Sequence, residues 1–237
     1  MKKALIYLAV AAVSFTSCRK DDTSSTTIQE VSDLTTQNAN DDKAIAKYMD
    51  EHYLDALGRI KAFSSTDASD DGYTKLSDLS YTKLESGVII IVRDGAQPEN
   101  GVTIGETDII RLMHKSTAFL SNENNGIQYT SEITFANTLE STGVPEVDPT
   151  YYYAKPTTIT NSGQSRAYFE IEGLREGLSH FKSFDKADSE NYNLQGVIIV
   201  PSRAAFARDS HYPYANIDWR NRTFVFNFQV YKTSARD

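Results

Sequence analysis

Phe224-Val225-Phe226-Asn227-Phe228-Gln229-Val230-Tyr231, close to the C-terminus, is the stretch that decides the fold class. From Phe224 to Val230 every second side chain is aromatic or aliphatic, the period at which a strand sends alternate residues to opposite faces of a sheet. Working back along the chain, Val197-Ile198-Ile199-Val200 is a β-branched run closed by Pro201. Val88-Ile89-Ile90-Ile91-Val92 is another, bounded by Gly87 and by Asp94-Gly95. Asp108 to His114 alternates, with Ile110 and Leu112 on one face, and Ile127 to Phe135 alternates more weakly. Tyr168-Phe169-Glu170-Ile171 reads as a further short strand. One late helix is expected, because Leu174, Leu178 and Phe181 follow i, i+4, i+7 between Gly173 and Lys182. Several strands with a single late helix and no βαβ repetition predict an α+β domain built on an antiparallel sheet.

The N-terminus reads differently. Met1-Lys2-Lys3 is followed by the uncharged run Ala4 to Val13, shorter than the roughly 20 apolar residues of a membrane-spanning helix. Ser14-Phe15-Thr16-Ser17-Cys18 then resembles a lipobox, with Phe15 where leucine is usual. The resemblance implies a signal peptide over residues 1–17, cleavage before Cys18 and a lipid on its thiol. Cys18 is the single cysteine in the chain, so no intramolecular disulfide can form. Arg19-Lys20-Asp21-Asp22 resembles a surface-export signal and reads equally well as the polar start of a linker. The expected location is the cell envelope, lipid-anchored at the outer membrane on its periplasmic or surface face.

Residues 18–40 are rich in Ser, Thr, Asn, Gln and acids and read as a flexible tether. From Asp41, with Asp41 or Asp42 as N-cap, Ile45, Tyr48, Met49, His52 and Leu57 recur at helical spacing, predicting a helix to about Leu57. The helical lead is placed at 41–63, a breaker-rich linker at 64–80 and the main domain at 81–237. A net charge of −8, more negative once Lys2 and Lys3 are removed, repels nucleic acid and anionic lipid. Membrane contact is therefore expected through the lipid alone. His52, His114, His180 and His211 show no ligand spacing, no calcium loop is present, and no G-x-S-x-G, Walker or dinucleotide pattern occurs. No metal and no cofactor are expected.

Three pieces of the C-terminal half occur in an order that resembles the FKBP-type peptidyl-prolyl isomerases. They are the glycine-led helix Glu172-Gly173-Leu174-Arg175-Glu176-Gly177-Leu178, the strand and turn Val197 to Ala207, and the final aromatic strand Thr223 to Val230. More loosely, Ser86-Gly87-Val88, Thr107 to His114 and Asn125 to Ser131 are similar to earlier family segments, and the helix bearing Ile45 and Tyr48 to the lead of lipoprotein members. The resemblance implies a strongly curved sheet wrapped on one helix. It also implies an isomerase acting on proline-containing peptides or exported proteins as an envelope folding factor.

That chemistry needs neither nucleophile nor metal. The X–Pro barrier, roughly 18–20 kcal/mol, comes from lost amide resonance on twisting. A catalyst needs a dry pocket for the proline ring and hydrogen bonds that favour the twisted amide. Carried over by resemblance, Tyr129 stands at an aromatic wall, Phe226 lies on the last strand and Ile171 donates a backbone contact. Leu174 takes the pocket floor, Phe206 stands where a tyrosine hydroxyl is usual, and His114 stands roughly where another tyrosine is found. Thr130 replaces an important aspartate, and Glu170 a pocket valine. The aromatic box is kept while its polar equipment is not. The stretch Ala136–Arg166, with Pro145, Pro149, Pro156 and Tyr151-Tyr152-Tyr153, is longer than the family's equivalent. The loop Ala207–Arg222 carries His211, Tyr212, Tyr214 and Trp219. Such aromatics either present a binding surface or fold back over the sheet. Two readings follow: an envelope prolyl isomerase, or a non-catalytic module of the same frame that binds a peptide, protein or glycan through its aromatic loops.

Overall fold

The computed structural model describes residues 33–123 and 126–236. The expected signal peptide, Cys18 and the tether as far as residue 32 lie outside the described residues. In chain order the elements are α1 (Leu34–Glu51), β1 (His52–Leu54), β2 (Ile60–Ala62), β3 (Thr82–Lys83), β4 (Ile89–Val92), β5 (Val102–Thr103) and β6 (Ile109–Glu123). There follow β7 (Ile127–Asn137), β8 (Glu146–Val147), α2 (Pro156–Ser162), α3 (Glu172–Leu178), β9 (Lys182–Ser183), β10 (Gly196–Val200) and β11 (Arg222–Ser234). Strands β3, β4, β10, β11, β6 and β7 lie side by side in that order as one antiparallel sheet, with β8 added to β6. β1 pairs with β2 and β5 with β9 in two small separate ribbons. Tyr168 to Ile171 is not a strand: a 3-10 turn at Arg166–Tyr168 leads straight into α3. Among the described residues no helix is long and apolar enough to cross a membrane.

Helices lie on both faces of this sheet, α3 on one and the N-terminal α1 on the other. The strand sequences give the reason. A strand with one wet face alternates apolar and polar residues, whereas β4 and β10 are apolar on both sides of the pleat and β11 buries Thr223, Val225, Asn227 and Gln229 on the face away from its phenylalanines. Ile90, Ile198, Val200, Phe224, Phe226 and Phe228 join the cluster under α3. Ile89, Ile91, Val197, Ile199 and Val225 join Ala44, Ile45, Tyr48 and Met49 of α1.

α1 begins at Leu34, well inside the stretch expected to be tether. Asp33 caps it, accepting the Thr36 amide at 2.7 Å. The added turns bury Gln37, Asn40 and Asp41, polar residues that no apolar period announces. Asp41 accepts from Gln37 Nε2 (2.8 Å), Ser121 Oγ (2.6 Å) and both the amide (3.1 Å) and hydroxyl of Ser202. Burial raises its carboxyl above the usual range and these hydrogen bonds pull it part of the way back. The clamp ties α1 to β6 and to the turn after β10. At its other end α1 stops at Glu51, short of Leu57, because His52 turns extended and hydrogen-bonds the Tyr48 carbonyl through Nδ1 at 2.7 Å.

α3 meets the sheet through Gly173 and Gly177, one turn apart. A Cβ on Gly173 would sit 2.5 Å from Val200 Cγ1, 2.8 Å from Val88 Cγ2 and 2.9 Å from the Ala204 carbonyl. On Gly177 it would sit 2.7 Å from Ile198 Cγ2. Gly173→Ala is therefore expected to destabilise by about 1–3 kcal/mol through overpacking. A urea titration checks this as a lower midpoint at unchanged slope.

Candidate functional site

Ile171, Leu174, Phe206 and Phe226 come together in one cluster on the α3 face of the sheet. His114 is buried on β6 and reaches the same side through Tyr151. Tyr129 does not join them. It lies on the opposite face, near Tyr48 and Phe119 at 5.3 and 5.4 Å between ring centroids, with its hydroxyl donating to Glu51 Oε2 at 2.7 Å. The reason is a bulge. The pairing of β7 with β6 slips between Ile133 and Thr130, and Ser131 adopts a positive φ of 51°. The slip reverses which residues face which side, so Ile127 and Tyr129 face α1 while Ile133 and Phe135 face α3.

Phe135 is the aromatic wall instead, at 5.0 Å from Tyr151, 4.9 Å from Trp219, 5.2 Å from Phe224 and 6.3 Å from Phe226. Its place in the weak alternation of β7 was the available signal. Tyr151 packs into this cluster: its ring stacks toward Phe226 at 6.3 Å and meets Tyr214 at 5.9 Å. The Ile171 amide, expected by resemblance to make a backbone contact, donates to the Tyr151 carbonyl at 2.7 Å. Ile171, Leu174 and Phe226 have no accessible surface and Phe206 keeps 2%. A hollow open to a ligand would leave such side chains in contact with water.

The filling segment is fastened on both sides. The Tyr151 hydroxyl donates to Glu146 Oε2 at 2.6 Å, and His114 Nε2 lies 3.2 Å from both. Burial, with Glu146 beside it, lifts the Tyr151 phenol well above its usual range. Burial also pushes the Glu146 carboxyl up, but hydrogen bonds from His114 and Tyr151 outweigh it and hold that carboxyl low. Ser116 Oγ lies 2.7 Å from His114 Nδ1. This gives a serine, a histidine and a carboxylate in a row, yet Ser116 and His114 are fully buried and can meet no substrate. On the other side Glu170 accepts from the Ala154 amide (2.8 Å), Arg166 Nη1 (2.7 Å) and Arg175 Nη1 (2.7 Å). Arg166 and Arg236 cover the Tyr153 ring at 4.7 and 3.7 Å. The tyrosine run of the insertion thus folds back over the sheet, and Trp219 is buried with it.

An accessible aromatic surface lies nearby. Thr158, Asn161, Ser162, Gln164, Tyr168, Phe169 and Tyr212 line a shallow groove of about 550 Å³. Tyr212, 45% exposed, is backed by the buried Phe169 ring at 5.5 Å, and its amide donates to the Tyr168 carbonyl at 2.7 Å. The lining carries no formal charge. Among the described residues no cluster of three or more His, Cys, Asp or Glu side chains could hold a metal.

No protein-family model and no curated protein matches the chain. Among solved structures it is similar to a peptidyl-prolyl cis-trans isomerase from Pseudomonas syringae pv. tomato, at 12% identity over 65% of this chain and 81% of that one, with a TM-score of 0.34. It is similar also to FkpA from Escherichia coli, at 16% identity over 65% and 51% of the two chains, TM-score 0.35. The N-terminal domain of FKBP42 from Arabidopsis thaliana matches at 13% identity over 67% and 94%, TM-score 0.40. Matches of this extent assign no role to any residue of this chain.

Proposed function

We propose that the chain is a non-catalytic module on an FKBP-like frame, which binds a ligand through its aromatic loops and is held in the cell envelope by a lipid on Cys18. One observation supports the reading of lost catalysis: the Tyr151 ring lies among the residues assigned by resemblance to the proline pocket, and its carbonyl takes the Ile171 amide. A substrate would have to evict a side chain that is 4% exposed and hydrogen-bonded to Glu146. Phe206 also lacks the hydroxyl that the isomerase reaction would use, a loss of about 0.5–1.5 kcal/mol of hydrogen bonding by itself. The Tyr168–Phe169–Tyr212 groove offers what the filled hollow does not, an accessible aromatic surface rimmed by hydroxyls and amides. The lipid anchor rests on the residues Ser14 to Cys18 alone.

A protease-coupled assay on a series of X–Pro peptides tests the catalytic half. The expected rate is the uncatalysed one, tens to hundreds of seconds per isomerisation at 25 °C. A rate above background that vanishes in Phe226→Ala, with the variant shown to be folded, would restore the isomerase. Palmitate labelling of cells, lost in Cys18→Ala, tests the anchor independently.

A further inference from the structure

The widest recess described on the molecule, about 820 Å³, lies away from the filled hollow, beside the edge of β4. Leu54 and Asp55 from the end of β1, the loop from Gly72 to Ser80, and Val92 to Gly95 with Gln97 form its walls. Three features of this groove point to the same kind of partner.

The first is an interrupted strand. β3 pairs with β4 at Lys83↔Ile89 and Thr82↔Ile90 and goes no further, whereas β4 continues on its other side to Val92↔Gly196. Two steps on in that register, past Tyr81 opposite Ile91, Ser80 would face Val92, and both line the groove instead. The sheet edge is therefore open where β3 turns away, and Val92 is 37% exposed. An extended peptide is the natural occupant of an open strand edge.

The second is charge. Asp78 and Asp94 are exposed and have no ion-pair or hydrogen-bond partner for their carboxylates among the described residues. The other charges of the lining are already committed. Asp55 holds the Arg59 side chain at 2.7 Å, and Arg93 donates to the carbonyls of Leu194 and Ala56 and to Asn193. The Arg93 cation is tied to neutral acceptors and keeps its charge, and what the groove offers a cationic ligand is the two carboxylates without a partner, Asp78 and Asp94.

The third is Tyr73, 42% exposed, with one ring face stacked on Tyr53 at 4.4 Å. A ring supported from one side leaves the other for a cation.

We infer that this groove docks an extended peptide segment of a partner protein that carries lysine or arginine, laid along the edge of β4 with its cationic side chains on Asp78, Asp94 and Tyr73. The site is separate from the Tyr168–Phe169–Tyr212 groove and does not depend on it.

The test uses the full chain and two labelled peptides, acetyl-Val-Lys-Val-Lys-Val-amide and its glutamate counterpart, titrated by fluorescence anisotropy. Saturable binding of the lysine peptide is expected, at least tenfold tighter than the glutamate peptide at low salt. It should weaken as salt is raised to about 0.5 M. The double variant Asp78→Asn/Asp94→Asn should bind the lysine peptide five- to tenfold more weakly, each exposed pair being worth up to about fivefold. Asp209→Asn, an exposed acid on another loop, should leave it unchanged. Because all three acids are exposed, these variants keep the fold, and their unfolding midpoints verify it. Absence of saturable binding overturns the inference. So does equal weakening by Asp209→Asn, which would mean diffuse attraction to an acidic surface, or unchanged binding by the double variant.

Discussion

Tyr151→Ala is expected to cost about 3–5 kcal/mol of stability, the range for removing a large buried ring and leaving a void behind. In a domain of this size that lowers the unfolding midpoint by about 10 °C or more. The void would be lined by Phe135, Phe226 and Tyr214 where the ring stood, with His114 and Glu146 only at the end the hydroxyl vacates. Dry apolar cavities of ring size take up benzene or xenon, so added benzene should recover part of the lost stability in Tyr151→Ala and none in the parent. Tyr151→Phe separates the two contributions of this side chain. It keeps the ring and removes only the hydroxyl that donates to Glu146 Oε2 at 2.6 Å, so about 1–3 kcal/mol is expected. A Tyr151→Ala variant as stable as the parent would mean that the ring does not seal the hollow in solution. The hollow would then be free to admit a proline ring.

Glu170→Ala should lose about 3 kcal/mol. Removing one partner of a buried ion pair typically costs 3–5 kcal/mol, because the remaining charge is left without compensation. The lower end applies here because Arg166 and Arg175 keep 42% and 25% of their side chains in contact with solvent, against 3% for Glu170. The Ala154 amide also loses its acceptor. Glu170→Gln keeps the shape and one acceptor and should fall between parent and alanine. Chemical denaturation measures the loss. Limited proteolysis locates it, since cleavage between Ala154 and Arg166 should accelerate well before global unfolding. Uniform protection of that segment in Glu170→Ala would show that the clamp is not what holds the insertion down.

The strands that carry the core were legible because their signal is repeated along the chain. β4 and, from Val197, β10 are unbroken β-branched runs, β11 sets an aromatic or aliphatic residue at every second position from Phe224 to Val230, and α3 carries Leu174 and Leu178 at i, i+4 with Phe181 just past its end. Elements whose buried faces are polar were not legible. The first turns of α1 bury Gln37, Asn40 and Asp41, which read as linker composition until the partners Ser121 and Ser202, far along the chain, are known. The site failed at one residue for a similar reason. Tyr129 and Phe135 are six positions apart and would share a face of a regular strand, and only the bulge at Ser131 separates them. Glu170 stood in the sequence as an oddity in an apolar pocket. Its role depends on Arg166, Arg175 and Ala154 converging on it, a meeting that no spacing rule specifies.

The place of β11 in the sheet has a consequence for how the protein comes to exist. It comes last in chain order among the described strands, yet it is the seam between β10 on one flank and β6 on the other. A nascent chain that ends before Arg222 owns two half-sheets and nothing to stitch them together, with the apolar runs of both still wet. The sheet therefore cannot close until Arg222–Ser234 has taken its place, and folding waits on pairings between strands far apart in the chain.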